Sequence, residues 1–177
     1  MRIPRTVWSF MLAVVASALF GVAERILQDH SATGWYLANI AAVWLAVAFV
    51  FGATSRRGVD AALIGLVAEL AAIGAFYGYM RFGEQHTEPL HLIAFWTCCG
   101  IVAGPIFGLL GYSWRRRRSQ VAGLTLAAMF VIEAVLLDVH RDRPRGIVTL
   151  ELVAGVLLAV LLFCAVRWRK SHTPHRR

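Results

Sequence analysis

Four glutamates lie within, or at the end of, stretches of sequence that are otherwise apolar: Glu24, Glu69, Glu133 and Glu151. Glu69 is the clearest case, because it is the one charged side chain between residues 61 and 79. A carboxylate inside a membrane is costly, so it marks a candidate ligand, ion or proton site. These residues therefore predict a polar site that attracts cations.

Helical spacing turns three of these glutamates towards neighbouring helices. Each lies three or four residues from a glycine on the same helical face; the pairs are Gly21 and Glu24, Gly65 and Glu69, and Glu151 and Gly155. A further polar residue, Asn39, lies near the start of its apolar stretch, in the half that the orientation argued below places towards the outside. We predict a ligand site formed by Glu24, Asn39, Glu69, Glu133 and Glu151. The alternative for each residue is structural, as an interhelical hydrogen bond or a pair with an arginine.

The apolar stretches that carry these residues number six, and each is close to the ~20 residues that a helix needs to cross ~30 Å of hydrocarbon. They lie at residues 6–23, 35–53, 61–80, 91–114, 121–139 and 147–166. Hydrophobic residues make up 59% of the 177 and charged residues 16%, which is too little polar surface for a soluble domain of this size. The sequence predicts one all-α domain over residues 1–177, a bundle of six transmembrane helices.

The basic residues predict the orientation of this bundle. Arg56 and Arg57 follow the second span, residues 115–118 are four arginines after the fourth, and the tail after the sixth is also basic. The positive-inside rule then places both termini in the cytoplasm of a multi-pass protein of the cell (inner) membrane. The net charge of +8 therefore reflects topology and contact with anionic lipid headgroups, and does not predict nucleic-acid binding. An alternative for the N-terminus is a signal peptide cleaved after residues 16–18, "ASA".

The fourth span carries an unusually dense series of glycines in "CCGIVAGPIFGLLGYSW". Gly100, Gly104 and Gly108 are spaced by four residues, and Gly111 follows. Small residues let helices approach closely in lipid, so this face predicts a packing seam. Pro105 removes a backbone donor and predicts a bend. A functional interpretation is that this helix forms a hinge or opens beside a binding cavity.

The chain contains no motif of a known catalytic or cofactor chemistry. It has no HExxH, no GxSxG and no Walker lysine, so neither an enzyme nor a cofactor is expected. His86 and His91 flank Glu88 in a spacing that matches no specific metal motif, and no metal site is predicted. The three cysteines are interpreted as small apolar residues without a disulfide.

Three stretches, "LANIAAVWLAVAFVFGA", "AGPIFGLLGYSWRRRR" and "FVIEAV", resemble an uncharacterised family of bacterial six-span membrane proteins, a domain of unknown function. The resemblance covers nearly the whole chain, and its distinctive positions are Asn39, Trp44, Gly104, Pro105, Gly108, Trp114 and Glu133. It implies the six-span architecture and no activity. Size and span number are more weakly similar to the substrate-binding subunits of energy-coupling-factor vitamin transporters, which bind a ligand near the outer face.

The function predicted from these features is the binding or transport of a small cationic solute from the outer face. Only Asp60 among the acidic residues lies on the predicted cytoplasmic side, so the negative potential faces outwards. The competing hypothesis is a non-transporting membrane scaffold or regulator, whose small-residue seams pack against partner membrane helices. The lipid bilayer is the predicted environment in both cases.

Overall fold

The computed structural model describes residues 5–141 and 144–171, and these residues form seven α-helices and no strand. The helices are α1 (Arg5–His30), α2 (Ala32–Ala38), α3 (Ala41–Thr54), α4 (Gly58–Phe82), α5 (Leu90–Arg116), α6 (Gln120–Arg141) and α7 (Arg145–Ser171). The all-α prediction is confirmed for this part of the chain. Helix α1 continues for about two turns beyond the predicted end at residue 23.

Four helices are long and apolar enough to cross a membrane: Val7–His30, Gly58–Phe82, Leu90–Arg116 and Arg145–Trp168. A fifth crossing results if α2 and α3 count as one bent span, and the apolar part of α6 is shorter. Large apolar side chains are exposed along these helices; Leu19 and Leu161, for example, are each 66% exposed. Apolar exposure on this scale is typical of lipid-facing surfaces, and it indicates a membrane protein.

Helix α4 lies at the centre of the packing, where it contacts α1, α3 and α5. Ala13 of α1 and Ala68 of α4 belong to one buried cluster, and Phe49, Phe107 and Leu126 join α3, α5 and α6 in another. Helix α7 packs mainly against α6. Helix α4 therefore meets α1 partly through small side chains, as expected where close packing replaces the hydrophobic effect, whereas larger side chains fill the contact of α3, α5 and α6.

Glycines of α5 lie directly against the backbone of α4. A Cβ atom added to Gly104 would fall 2.8 Å from the carbonyl oxygen of Gly65 and 2.9 Å from the Cα atom of Leu66. A Cβ atom on Gly108 would collide with the carbonyl oxygen of Ala61. These positions have room only for hydrogen, so the two helices approach as closely as backbones allow.

The same helix also meets α3. A Cβ atom on Gly111 would fall 2.8 Å from the carbonyl carbon of Phe49, whereas one on Gly100 would fall 2.7 Å from the side chain of Ile73 on α4. Pro105 lies between these glycines and is half-buried, and α5 remains one helix from Leu90 to Arg116. The four glycines thus form one continuous contact surface of α5.

The second predicted span, residues 35–53, is interrupted. Helix α2 ends at Ala38, helix α3 begins at Ala41, and the two helices are bent by 44° relative to each other. Between them Ile40 has extended backbone angles (φ −78°, ψ 102°). The single helix expected for this stretch is therefore two helices with a break at Asn39 and Ile40.

Candidate functional site

A cavity of about 190 Å³ lies beside the break between α2 and α3. Its walls come from the break itself and from α3, α4 and α5. The lining residues are Ala38, Asn39, Ala41, Trp44, Leu45, Glu69, Ile73, Phe76, Tyr77, Trp96, Cys99, Gly100 and Ala103. The wall is therefore mostly apolar and aromatic, and Glu69 is the one acidic side chain that the described residues place on it.

Close packing of α4 on α5 positions Glu69. Its side chain is only 3% exposed, and its Oε1 atom is buried without a hydrogen-bond partner among the described residues. A Cβ atom on Gly104 would lie 3.1 Å from the Cγ atom of Glu69, and one on Gly100 would lie 3.5 Å from its Cβ atom. The glycines of α5 thus leave the space that this glutamate occupies.

Glu133 of α6 binds the backbone at the break. Its Oε1 atom accepts a hydrogen bond from the N–H group of Ala41, and Oε2 accepts one from Ala42, both at 2.8 Å. The first N–H groups of a helix have no partner within the helix, and a carboxylate also interacts favourably with the positive end of the helix dipole. Glu133 is therefore the N-terminal cap of α3, supplied by another helix.

Two side chains at the break donate hydrogen bonds to carbonyl groups of α2. The Trp44 Nε1 atom donates to the carbonyl oxygen of Ala38 at 3.2 Å. The Asn39 Nδ2 atom donates to the carbonyl oxygen of Trp35 at 2.7 Å. The carbonyl groups at the end of α2 thus gain partners that a continuous helix would have provided.

The aromatic part of the wall is held by edge-to-face ring contacts. The ring centroids of Trp44 and Phe76 are 5.7 Å apart, and Trp44 also meets Phe20 of α1 at 5.4 Å. Phe76 in turn meets Tyr77 at 5.2 Å. The rings that border the cavity are therefore fixed from three helices.

A family model with the description "Family of unknown function (DUF6518)" matches residues 2–174. The chain belongs to this family. No curated protein and no solved structure matches the chain. Membership of DUF6518 agrees with the resemblance to a domain of unknown function, while the similarity to energy-coupling-factor subunits stays a hypothesis.

The structure of this DUF6518 member does not bring the four predicted glutamates to one cavity. Asn39 and Glu69 line it, whereas Glu133 lies behind the break with both oxygens bound to backbone. Glu24 is on α1, and its Oε2 atom is buried without a hydrogen-bond partner among the described residues. Glu151 is 1% exposed on α7, which packs mainly on α6. Of the five predicted site residues, Asn39 and Glu69 therefore line this cavity.

Several lining residues were not singled out from the sequence, although helical periodicity contains the signal. Residues four and seven positions after Glu69 are Ile73 and Phe76, and Cys99 follows Trp96 by three. These spacings place side chains on one helical face. Once α4 and α5 are paired through their glycines, these spacings predict that both faces border the buried carboxylate of Glu69.

The described residues contain no group of three or more histidine, cysteine or acidic side chains that could hold a metal ion. Cys98, Cys99 and Cys164 are all free thiols. Among the three, only Cys99 lines the cavity. The cavity is thus a pocket with one carboxylate, a few polar groups and aromatic walls.

Proposed function

We propose that this protein binds a small cationic solute in the cavity beside the α2–α3 break. The observation that carries the proposal is the carboxylate of Glu69, which is buried on the cavity wall and whose Oε1 atom has no hydrogen-bond partner in the described part of the chain. An ionised acid in the hydrocarbon region costs about 3 kcal/mol, and a bound cation offsets this cost. Among the residues that the structure describes, no arginine, lysine or histidine lines the cavity to take that role.

We further propose that the site belongs to a six-span protein of the cell (inner) membrane with cytoplasmic termini. In this topology the α2–α3 pair is the second crossing and α6 the fifth. The positions of the arginines support the orientation, and the break then lies towards the outer face, where α2 follows the end of α1. Interrupted helices beside a cavity are a feature of solute transporters. Because the break lies towards the outer face in this topology, the proposal favours entry of the solute from outside.

Thermal unfolding of the purified protein in detergent tests the binding function. The probes are chloride salts of sodium, potassium, magnesium and simple organic ammonium ions, each compared at the same ionic strength. At least one cation should raise the melting temperature of the wild type and of Glu24→Gln, which removes a carboxylate outside the cavity. The Glu69→Gln protein should fold and lose the effect. Equal responses of all three proteins, or no response in any, would contradict the proposal.

A second candidate function, a scaffold that packs against a partner helix, is favoured by one observation. Gly74 and Gly78 on α4 are four residues apart, and a Cβ atom on either would meet no atom within 4 Å. Small residues at this spacing form helix–helix contacts in membranes. Cross-linking in membranes tests this role. If a partner helix packs against Gly74 and Gly78, Gly78→Leu should abolish the cross-linked complex and leave cation stabilisation unchanged.

A further inference from the structure

We infer that the solute is a protonated organic amine with an apolar body about as large as a benzyl group. This inference rests on the proposed cation-binding function and specifies its ligand class. It follows from four properties of the cavity: the number of oxygen atoms it offers, its aromatic walls, the unpartnered atom of Glu69, and its volume.

The cavity offers too few oxygen ligands for a dehydrated inorganic cation. Calcium takes six to eight oxygen ligands, and magnesium needs near-octahedral geometry. Glu69 supplies the one carboxylate, and Asn39 and Tyr77 are the other oxygen-bearing side chains on the wall. The carbonyl oxygen of Ala38 already accepts the indole hydrogen of Trp44. An ion whose charge must be surrounded by oxygen on all sides would therefore be poorly satisfied here.

Aromatic rings provide what an organic cation needs instead. Trp44, Phe76, Tyr77 and Trp96 all line the cavity. Ring faces attract ammonium groups, most strongly when the cation is desolvated, and the same rings bury the apolar part of the ligand. The wall thus matches a molecule that carries one positive charge on an apolar body.

The state of Glu69 distinguishes between kinds of ammonium ion. Its Oε1 atom is buried and lacks a donor among the described residues. A protonated amine has N–H groups that can donate to this atom in a charge-assisted hydrogen bond, whereas a quaternary ammonium has none. The geometry therefore favours a protonated amine.

The volume sets the size of the apolar body. The cavity measures about 190 Å³, and an apolar cavity of about 150 Å³ in another protein is known to admit benzene. The cavity therefore has space for one six-membered ring and a short arm that carries the amine. Benzylamine is a probe of this size and chemistry.

Calorimetric titration of the full-length protein in detergent tests the ligand class. Benzylamine should bind, whereas benzyl alcohol and benzyltrimethylammonium should bind about tenfold more weakly or not at all. Glu69→Gln should remove the preference for benzylamine. Trp96→Leu should lower its affinity severalfold, and Trp8→Leu should not, because Trp8 on α1 is exposed and does not line the cavity.

The cavity thiol gives an independent readout. In a protein with Cys98→Ala and Cys164→Ala, the Cys99 thiolate attacks a methanethiosulfonate reagent to form a mixed disulfide and release methanesulfinate. The 2-aminoethyl reagent should react faster than the 2-sulfonatoethyl reagent, and benzylamine should slow the reaction. In the matched protein that keeps only Cys98, which is exposed outside the cavity, benzylamine should have no effect.

The outcomes separate the inference from the function on which it rests. Glu69-dependent binding of sodium, potassium or a quaternary ammonium, without binding of benzylamine, overturns the amine class and leaves cation binding intact. Equal binding of benzylamine and benzyl alcohol that survives Glu69→Gln overturns both. Benzylamine binding that requires Glu69 and protects Cys99 is the expected result.

Discussion

The Oε2 atom of Glu133 lies 2.8 Å from the backbone nitrogen of Ala42 and accepts its hydrogen, although the two residues are 91 positions apart. The other oxygen binds the N–H group of Ala41. Locally, Ile40 occupies the N-cap position of α3 and makes no side-chain cap hydrogen bond. The N-terminus of α3 beside the cavity therefore depends on a carboxylate from α6.

Replacement of Glu133 should reveal the strength of this cap. Glu133→Leu should lower the free energy of unfolding by about 2–4 kcal/mol, because the buried N–H group of Ala42 and the half-buried one of Ala41 lose their acceptors at about 1–3 kcal/mol each. Glu133→Gln should cost about 1 kcal/mol, since the amide oxygen still accepts one hydrogen bond. Chemical unfolding in mixed micelles measures both. Equal stability of the leucine variant and the wild type would show that the cap is dispensable.

Glycine substitutions should differ according to the helix face on which they lie. Gly104→Ala should destabilise the protein by about 1–3 kcal/mol, because the new methyl group would overlap the backbone of α4 at Gly65 and Leu66. The control, Gly74→Ala, places its methyl group in open space and should be neutral or stabilise α4 by up to about 1 kcal/mol. Melting temperatures of the two variants test the difference. The same sign of change for both would argue against a tight α4–α5 contact.

The ion pair between Arg25 and Glu84 should link α1 to the segment that follows α4. The Arg25 Nε atom lies 2.9 Å and 3.1 Å from the two oxygens of Glu84, and both side chains are largely buried. Arg25→Ala and Glu84→Ala should each destabilise the protein. Their effects should be coupled by about 1–2 kcal/mol in a double-mutant cycle of unfolding free energies. Strictly additive effects would mean that the pair contributes nothing beyond its separate side chains.

The proposed topology predicts which connecting segments a membrane-impermeant maleimide reaches in intact cells. In a cysteine-free background, Gln85→Cys between α4 and α5 should be labelled directly. Arg117→Cys between α5 and α6 should be labelled only after the cells are permeabilised. The two positions flank the same helix, so each serves as the control for the other. The reverse pattern would invert the orientation, and labelling of both from outside would exclude a crossing by α5.

The packing faces of α4 and α5 could be predicted from sequence because their determinants are local. Gly104 and Gly108 are one helical turn apart, and Glu69 follows Gly65 by the same interval, so periodicity alone places them on packing faces. The fold class follows in the same way from the length and composition of the apolar stretches. The cavity residues on α4 and α5 needed one further step, which was to align these two faces.

The break at Asn39 and Ile40 could not be predicted by such reasoning. The stretch "LANIAAV" has no proline or glycine, and its residues would continue a helix. The carboxylate of Glu133 reaches the break from α6 and accepts hydrogen bonds from the first N–H groups of α3. These hydrogen bonds join residues 91 and 92 positions apart, so local sequence preference does not reveal them. The ligand-site role of Glu133 stays a prediction.

The long sequence separation between the cap and the helix that it caps has a consequence for biogenesis. At about 5–20 residues per second, the ribosome adds residue 133 roughly 5–20 s after residue 42. Until then, the N–H groups of Ala41 and Ala42 lack their acceptor, so a chain truncated after Arg118 should exchange these amide hydrogens quickly, whereas the full chain protects them. The cap of α3 can therefore form only after α6 has been synthesised, so the N-terminus of α3 beside the cavity is completed late.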